Sequence, residues 1–265
     1  MQSAPRLITL DMDGTLLTPE GRVPDGFWAQ LRRAHELGVT LAPASGRQLA
    51  TLREMFERDA PEAFIAENGA VVWLSGEVIS TTPLPAEPVA RLLAQLPNAP
   101  FRAHAVVCTP DVAYTLPDLP DEVHREIDKY YAARDTAPSL LDAPLNRTVK
   151  IALYVESDAE ADALGWVQDC VPELSAVVSS KHWLDLMDPE ADKGRALLEL
   201  ADALGVAQED TAAFGDYLND LPMLRVAGRA FAMGNAHEDV KKVADEVVGT
   251  NGDDGVVDTL ARWLS

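Results

Sequence analysis

The chain has 265 residues, of which 47% are hydrophobic and 25% are charged, and its formal net charge is −21 at pH 7. These proportions are those of an ordinary globular protein with one or two domains. The strongly acidic charge argues against binding to nucleic acid and to anionic membrane surfaces, because both require clusters of Lys and Arg. No apolar run approaches the roughly 20 residues that are needed to span a bilayer.

We expect a cytoplasmic protein. The first residues lack the basic region and apolar stretch of a secretory signal. The chain has two cysteines, Cys108 and Cys170, far apart in the sequence. So few cysteines in a chain of this length do not form a disulfide framework, which fits a reducing compartment.

The first part of the chain predicts strands that alternate with helices. Short apolar runs end at Gly-containing turns, as buried strands do. One longer segment has apolar residues at helical spacing and is followed by Gly38, a residue type favoured just past a helix end. The predicted elements are a strand at 7–10, a helix at 27–37, a strand at 39–44, a helix to about residue 58 and a strand at 64–66.

The last part of the chain continues the same alternation. It predicts a helix at 194–204 and strands at 211–214, 230–233 and 246–248. Strands that alternate with helices predict an α/β fold with a doubly wound, mostly parallel, Rossmann-like sheet.

The middle of the chain has a different character. From 84 to 187, prolines are frequent, and strand-like runs at 149–155 and 176–179 lie among helical segments. We expect an inserted α+β domain at 84–187, which leaves a discontinuous α/β core formed by 1–83 and 188–265.

Two aspartates directly follow the first predicted strand. Asp11 and Asp13 are separated by one residue, so one carboxylate could attack phosphorus while the other exchanges protons. A turn in which the aspartates bind their own backbone is the alternative. A calcium loop is excluded, since its positions 6 and 12 would be Leu16 and Arg22 rather than Gly and Glu.

A second acidic cluster follows the strand at 211–214. Asp216, Asn219 and Asp220 would share one face if the segment turns helically. Their oxygens are the ligands that Mg²⁺ prefers. The alternative is an Asp that caps the start of a helix.

Two further signals concern anion binding. Lys193 precedes a predicted helix and is one of 6 lysines, against 16 arginines; it could pair with a phosphoryl oxygen or a carboxylate, or be a solvated surface residue. Ser45, Gly46 and Arg47 lie between a strand and a predicted helix start, where a hydroxyl and backbone N–H groups can bind an anion. A plain Ser cap with Gly in the turn is the alternative.

In order and spacing, seven short motifs resemble those of the haloacid dehalogenase superfamily of phosphohydrolases, above all its Cof-type branch, which carries a large α/β cap inserted in the core. The resemblance implies that the insertion at 84–187 is this cap and that its closure selects the leaving group. The motifs are DMDGT (11–15), ASGR (44–47), ENGA (67–70), DKG (192–194), GDYLND (215–220), AMGNA (232–236) and NGDDGV (251–256).

The resemblance also implies roles for individual residues. Asp11 would be the nucleophile, and Asp13 would protonate the leaving oxygen and then activate water. Lys193 would offset the charge on Asp11 and on the phosphate. The residues that would bind the phosphate are Ser45, Gly46, Lys193 and Asn219, and those that would bind Mg²⁺ are Asp11, Asp13, Asp216 and Asp220. Asp220 would act through water or by orienting Lys193. Asn68 and Asn235 would lie near the site.

The expected function is a Mg²⁺-dependent phosphatase of small phosphorylated metabolites, with sugar phosphates as the favoured class, that forms an aspartyl-phosphate on Asp11. A phosphomutase is the alternative among enzymes. A non-catalytic protein that binds phosphorylated metabolites would be expected to lack Asp11, Asp13 or Lys193, and all three are present. The sequence leaves the oligomeric state open.

Overall fold

The computed structural model describes residues 5–56 and 58–265. Within them the chain forms two compact units. The first contains the residues up to Gly46 together with Leu52–Ser80 and Asp192–Ser265, and the second contains Arg47–Thr51 and Thr81–Ala191. The predicted domain boundaries, at 83/84 and 187/188, stay a prediction.

The strands and helices are numbered in chain order. The strands are β1 (Leu7–Asp11), β2 (Thr40–Ala44), β3 (Ala63–Ala66), β4 (Val71–Leu74), β5 (Glu77–Thr81), β6 (Ala103–Cys108), β7 (Ala113–Thr115), β8 (Arg134–Thr136), β9 (Lys150–Val155), β10 (Ser175–Val178), β11 (Trp183–Met187), β12 (Thr211–Gly215), β13 (Ala230–Ala232) and β14 (Glu246–Val247). The α-helices are α1 (Phe27–Glu36), α2 (Leu49–Met55), α3 (Ala86–Gln95), α4 (Asp121–Asp128), α5 (Gly165–Cys170), α6 (Lys193–Leu204), α7 (Leu221–Val226), α8 (Glu238–Val243) and α9 (Gly255–Trp263).

The sheet of the first unit has the order β14-β13-β12-β1-β2-β3-β4-β5. The six strands from β14 to β3 are parallel, and β4 runs antiparallel to β3. Every residue of β1 is buried, as expected for a parallel strand covered on both faces. The predicted doubly wound, mostly parallel sheet is confirmed. Because parallel strands end at the same edge, the loops that follow β1, β2, β3, β12, β13 and β14 share that edge.

Helix ends in this unit follow from local chemistry. Gly38, just past α1, has a φ of +68°, and Gly205, just past α6, has a φ of +62°; glycine adopts this left-handed conformation without a steric penalty. At the other end of α6, Asp192 Oδ1 accepts hydrogen bonds from the N–H groups of Gly194 and Arg195, at 2.7 and 2.9 Å. The predicted helix at 194–204 is therefore confirmed and begins at Lys193.

The second unit is built on a six-stranded sheet of order β10-β11-β9-β6-β7-β8. Its pairs are antiparallel except β7 with β8. One face of β9 contributes Ile151, Leu153 and Val155 to a core that also includes apolar residues of α3 and of the helical segment 159–170. The inserted α+β domain of the predicted fold class is confirmed.

One predicted boundary is wrong. Helix α2 ends at Met55 rather than near residue 58, because Phe56 N–H bonds to the Arg53 carbonyl three residues back (3.1 Å) and the Phe56 ring packs 5.7 Å from Phe64. The same helix begins at Leu49, so Ser45, Gly46 and Arg47 lie between β2 and α2, as predicted. No helix among the described residues is long and apolar enough to cross a membrane.

Candidate active site

A buried lysine joins two buried carboxylates at the edge where β1 and β12 end. Lys193 Nζ lies 2.5 Å from Asp11 Oδ1 and 2.7 Å from Asp220 Oδ1. The side chains of Lys193 and Asp220 are 0% exposed, and that of Asp11 is 9% exposed. Charged side chains are buried this completely only where they are paired with opposite charges. The three side chains therefore form one buried ion cluster.

The position of Lys193 depends on a close contact with the turn after β3. In that turn Glu67, Asn68 and Gly69 all have positive φ angles, of 51°, 54° and 101°. A side chain at Gly69 would overlap the main chain of Asp192 and would come within 2.8 Å of the backbone nitrogen of Lys193. Glycine at 69 thus allows the turn to pack directly against the start of α6.

We expect Gly69→Ala to destabilise the protein more than Gly76→Ala does. Gly76 has a similar φ of +105° and nothing within 4 Å of the added methyl group, so its variant should lose only about 1–2 kcal/mol through backbone strain. The overlap at Gly69 should add about 1–3 kcal/mol. Urea unfolding of both variants measures this difference; equal losses would show that the close contact is unimportant.

Asp216 extends the cluster from the end of β12. Its Oδ1 accepts a hydrogen bond from Thr15 Oγ1 at 3.1 Å. A side chain at Gly14 would overlap the Asp216 carboxylate, and Gly14 has a φ of +83°. The turn after β1 therefore needs glycine both for its backbone conformation and for space. Thr15 was present in the motif at 11–15, but nothing in its spacing predicted this contact.

Asp220 takes a different position from the one that its spacing predicted. A 3₁₀ turn covers only Leu218–Asp220, and Asp216 lies before it, so the two aspartates do not share a helical face. Instead, Asp220 Oδ2 accepts hydrogen bonds from the backbone N–H groups of Asp216 and Tyr217, at 2.9 and 3.1 Å. Asp220 therefore fixes the backbone of Asp216 with one oxygen and Lys193 with the other.

The carboxylates fit a hard divalent cation. Asp11, Asp216 and Asp220 each have an oxygen within 4.8 Å of the others. Three carboxylates facing one lysine leave an excess of negative charge, and oxygen donors at this spacing suit Mg²⁺. Since both oxygens of Asp220 already accept hydrogen bonds, its contacts favour a supporting role over direct ligation.

The burial of these groups shifts their pKa values. Burial raises the pKa of Asp11 well above its ordinary value, the charge of Asp220 raises it further, and Lys193 offsets only part of this effect. Burial also raises the pKa of Asp216. For Lys193, burial alone would lower the pKa, but Asp11 and Asp220 together outweigh it and the pKa is raised. Lys193 is therefore charged at neutral pH.

Three of the predicted phosphate-binding residues lie together around Asn68. The Asn68 N–H donates to the Ser45 carbonyl at 2.9 Å, and its side-chain oxygen accepts from Asn219 Nδ2 at 3.4 Å. A side chain at Gly46 would come within 2.9 Å of the Asn68 amide. Asn68 therefore links the turns after β2 and β12, which places Ser45, Gly46 and Asn219 near one another.

Asp13 lies in the turn after β1 and is exposed, and two asparagines hold that turn. Asn235 Nδ2 donates to the Gly14 carbonyl at 2.8 Å, which confirms that Asn235 lies near the site. Asn251, for which no role was predicted, donates to the Leu17 carbonyl at 2.8 Å. The only signal for Asn251 in the sequence was its place at the start of the last motif.

The site has a buried lysine among aspartates at the carboxyl edge of a doubly wound sheet. This arrangement is the one expected from the resemblance of the motifs to phosphohydrolases of the haloacid dehalogenase superfamily. The family model described as haloacid dehalogenase-like hydrolase matches residues 8–260. The chain belongs to this family, and within it the chain is a phosphatase of the Cof type.

Relatives and solved structures support this assignment along the whole chain. The HMP-PP phosphatase of Cronobacter sakazakii is 30% identical over 98% of this chain and 96% of its own. The 5-amino-6-(5-phospho-D-ribitylamino)uracil phosphatase YbjI of Escherichia coli is 28% identical over 98% of this chain and 96% of its own. The structure of the subclass IIB sugar phosphatase BT4131 superimposes with a TM-score of 0.79 at 25% identity, covering 97% of this chain and 98% of its own.

Proposed function

We propose that the protein is a Mg²⁺-dependent phosphatase that transfers the phosphoryl group of a small phosphorylated metabolite to Asp11 and then hydrolyses the aspartyl-phosphate. The observation that carries this proposal is the buried contact of Lys193 with both Asp11 and Asp220. A carboxylate at this position is a nucleophile toward phosphorus, provided that its charge is offset when an anionic phosphate approaches.

Lys193 provides part of that offset. Its ammonium group lies 2.5 Å from Asp11 Oδ1, so it offsets the charge of the Asp11 carboxylate directly. Asp220 orients the ammonium group through a bond of 2.7 Å. The charge that builds on the phosphoryl oxygens in the transition state would be stabilised by Lys193 without any rearrangement of the site.

We propose that Asp13 acts as the general acid and then as the general base. It would donate a proton to the leaving oxygen as the phosphoryl group moves to Asp11, and then take one from the water that hydrolyses the intermediate. Its exposed position in the turn after β1 suits a group that must meet both a leaving group and a water molecule.

Mg²⁺ would be held by Asp11 and Asp216, by the Asp13 carbonyl and, less directly, by Asp220, and it would supply positive charge to offset the phosphate. Ser45 would donate its hydroxyl proton to a phosphoryl oxygen, and the Gly46 N–H and the Asn219 side chain would bind the other oxygens. The contacts that join these residues through Asn68 support this shared role.

The test is phosphate release from a panel of phosphorylated metabolites, with Mg²⁺ and with EDTA, using Asp11→Asn as the blank. Sugar phosphates are the favoured class, and the substrates named for the relatives, HMP-PP and 5-amino-6-(5-phospho-D-ribitylamino)uracil, belong in the same panel. Release that requires Mg²⁺ and Asp11 supports the proposal. Formation of an isomeric phosphate without net release would instead indicate a phosphomutase, and release in EDTA would contradict the role of the metal.

We expect the affinity of the metal-free protein for Mg²⁺ to fall as the pH is lowered from about 8 to about 5.5. The pKa values of Asp11 and Asp216 are raised, so these carboxyl groups hold protons at a higher pH than usual and must release them to bind the metal. Isothermal titration calorimetry in two buffers of different ionisation enthalpy measures both the affinity and the protons released. Binding that neither releases protons nor depends on pH would contradict this account, and the surface variant Asp202→Asn should behave as the wild type.

A further inference from the structure

Two asparagines connect the turn after β1 to a turn that lies far away in the sequence. The side chain of Asn235 donates to the Gly14 carbonyl at 2.8 Å and accepts from the Asn251 N–H at 3.1 Å. The side chain of Asn251 in turn donates to the Leu17 carbonyl at 2.8 Å. The pair therefore holds the turn after β1 at two carbonyl groups, one on each side of Thr15 and Leu16.

The turn that carries Asn251 is itself rigid. Thr250 Oγ1 donates to Asp253 Oδ2 at 2.7 Å, and the Gly255 N–H donates to the Thr250 carbonyl at 3.1 Å. A side chain at Gly255 would overlap the main chain of Gly249, so the two ends of this turn lie against each other. Asn251 is thus anchored to the end of β14 and the start of α9 before it reaches the turn after β1.

The held carbonyl belongs to the residue next to Asp13. Gly14 has a φ of +83°, and the φ and ψ of Asp13, −78° and 116°, are not helical although the segment turns like a helix. A rotation of the peptide group between Gly14 and Thr15 would change both the direction of the preceding Asp13 and the bond from Thr15 to Asp216. Catalytic groups lose much of their effect when their position changes by about 1 Å.

We propose that Asn235 and Asn251 form a positioning relay that orients Asp13 for proton transfer to the leaving group. This inference rests on the proposed function. Neither asparagine touches the reacting atoms; Asn251 acts through Asn235, and both act through the backbone of the turn. The relay matters most when the leaving oxygen needs a proton, and least when it departs as a stable anion.

The test compares two substrates in the wild type, Asn235→Ala, Asn251→Ala and the double variant. The substrates are 4-nitrophenyl phosphate, whose leaving group needs no proton, and an alkyl phosphate that the wild type hydrolyses. We expect each single variant to lose about tenfold or more in kcat/KM on the alkyl phosphate and about threefold or less on the aryl phosphate. The ratio kcat/KM is compared because it reports phosphoryl transfer to Asp11 and not the later hydrolysis of the aspartyl-phosphate, in which Asp13 acts for both substrates. The double variant should lose no more than the worse single variant, because the two residues act in series.

Three controls separate this role from a general loss of structure. Asp13→Asn should show the same selective loss of kcat/KM on the alkyl phosphate, to a larger extent. Asn251→Asp keeps the shape of the side chain but lacks the donor to Leu17, and it should also lose activity selectively. Gln208→Ala removes a similar bond, from Gln208 Nε2 to the Val226 carbonyl (2.7 Å), at the opposite edge of the sheet, and should keep wild-type kinetics.

Equal losses on both substrates, or additive losses in the double variant, would overturn the relay while leaving the phosphatase proposal intact. Wild-type kinetics in both single variants would also overturn it. If the wild type itself releases no phosphate from either substrate and Asp11→Asn makes no difference, the proposed function is wrong. The relay, which rests on that function, is then wrong as well.

Discussion

Asp11→Asn should abolish turnover while the protein stays folded. Asparagine has the shape of aspartate but cannot form the aspartyl-phosphate, so we expect kcat to fall by about 10⁴-fold or more, as for other enzymes that lose a nucleophile. Stability should be equal to that of the wild type or higher, because burial and Asp220 disfavour the charged form of Asp11 and the amide removes that charge. Phosphate release and thermal unfolding measure the two effects.

The matched control for this variant is Asp202→Asn. Asp202 lies on the same helix as Lys193, is exposed, and loses the same charge when it is replaced. Its variant should keep full activity. Residual turnover of Asp11→Asn within about tenfold of the wild type would show that Asp11 is not the nucleophile, since the loss of a nucleophile costs about 10⁴-fold or more.

Lys193→Met should destabilise the protein strongly and abolish its activity. Methionine fills a similar volume but leaves Asp11 and Asp220 buried without their cation, and breaking such a pair costs about 3–5 kcal/mol. The deficit should depend on pH. Without Lys193, the pKa of Asp11, already raised, rises further, so the folded protein binds more protons than the unfolded chain and its stability falls as the pH increases. Urea unfolding at about pH 5 and about pH 8 should therefore show the larger deficit at the higher pH.

The control for Lys193→Met is Lys242→Met. Lys242 pairs with Asp239 at 2.7 Å, but its side chain is 71% exposed, and exposed pairs contribute little. Mg²⁺ should recover part of the stability that Lys193→Met loses, because it also offsets the carboxylates and binds only the folded state. A deficit that is small, or that is the same at both pH values, would show that the cluster does not depend on the charge of Lys193.

The parallel part of the fold was predictable because each of its strands is a short apolar run next to a Gly-containing turn. β1, β2, β3 and β12 were all predicted within a residue or two. Strands β4 and β5 were not predicted. β5 is mostly exposed, and the apolar run of β4 follows β3 after only a short turn, where an alternation of strands and helices predicts a helix. Strands β6, β7, β8 and β11 were missed in the second unit, where packing against the helices, more than local pattern, decides which segments pair.

The residue types of the site were predictable, but its contacts were not. Asp11, Lys193 and Asp216 could be selected because each follows a strand or precedes a helix. The bonds from Asp220 to two backbone N–H groups depend on a short 3₁₀ turn that the spacing of the aspartates did not indicate. The roles of Asn235 and Asn251 depend on contacts across more than 200 residues of sequence, and no local pattern carries that information.

The order of strands also determines when the site can first exist during synthesis. β1 pairs on one side with β2, which begins at Thr40, and on the other with β12, which begins at Thr211. At 5–20 residues per second, the ribosome makes the second partner about 10–40 s after the first strand. For that time β1 has one open edge, which is a template for pairing with other chains. Pairing with β12 closes this edge only when the chain has been made as far as Gly215.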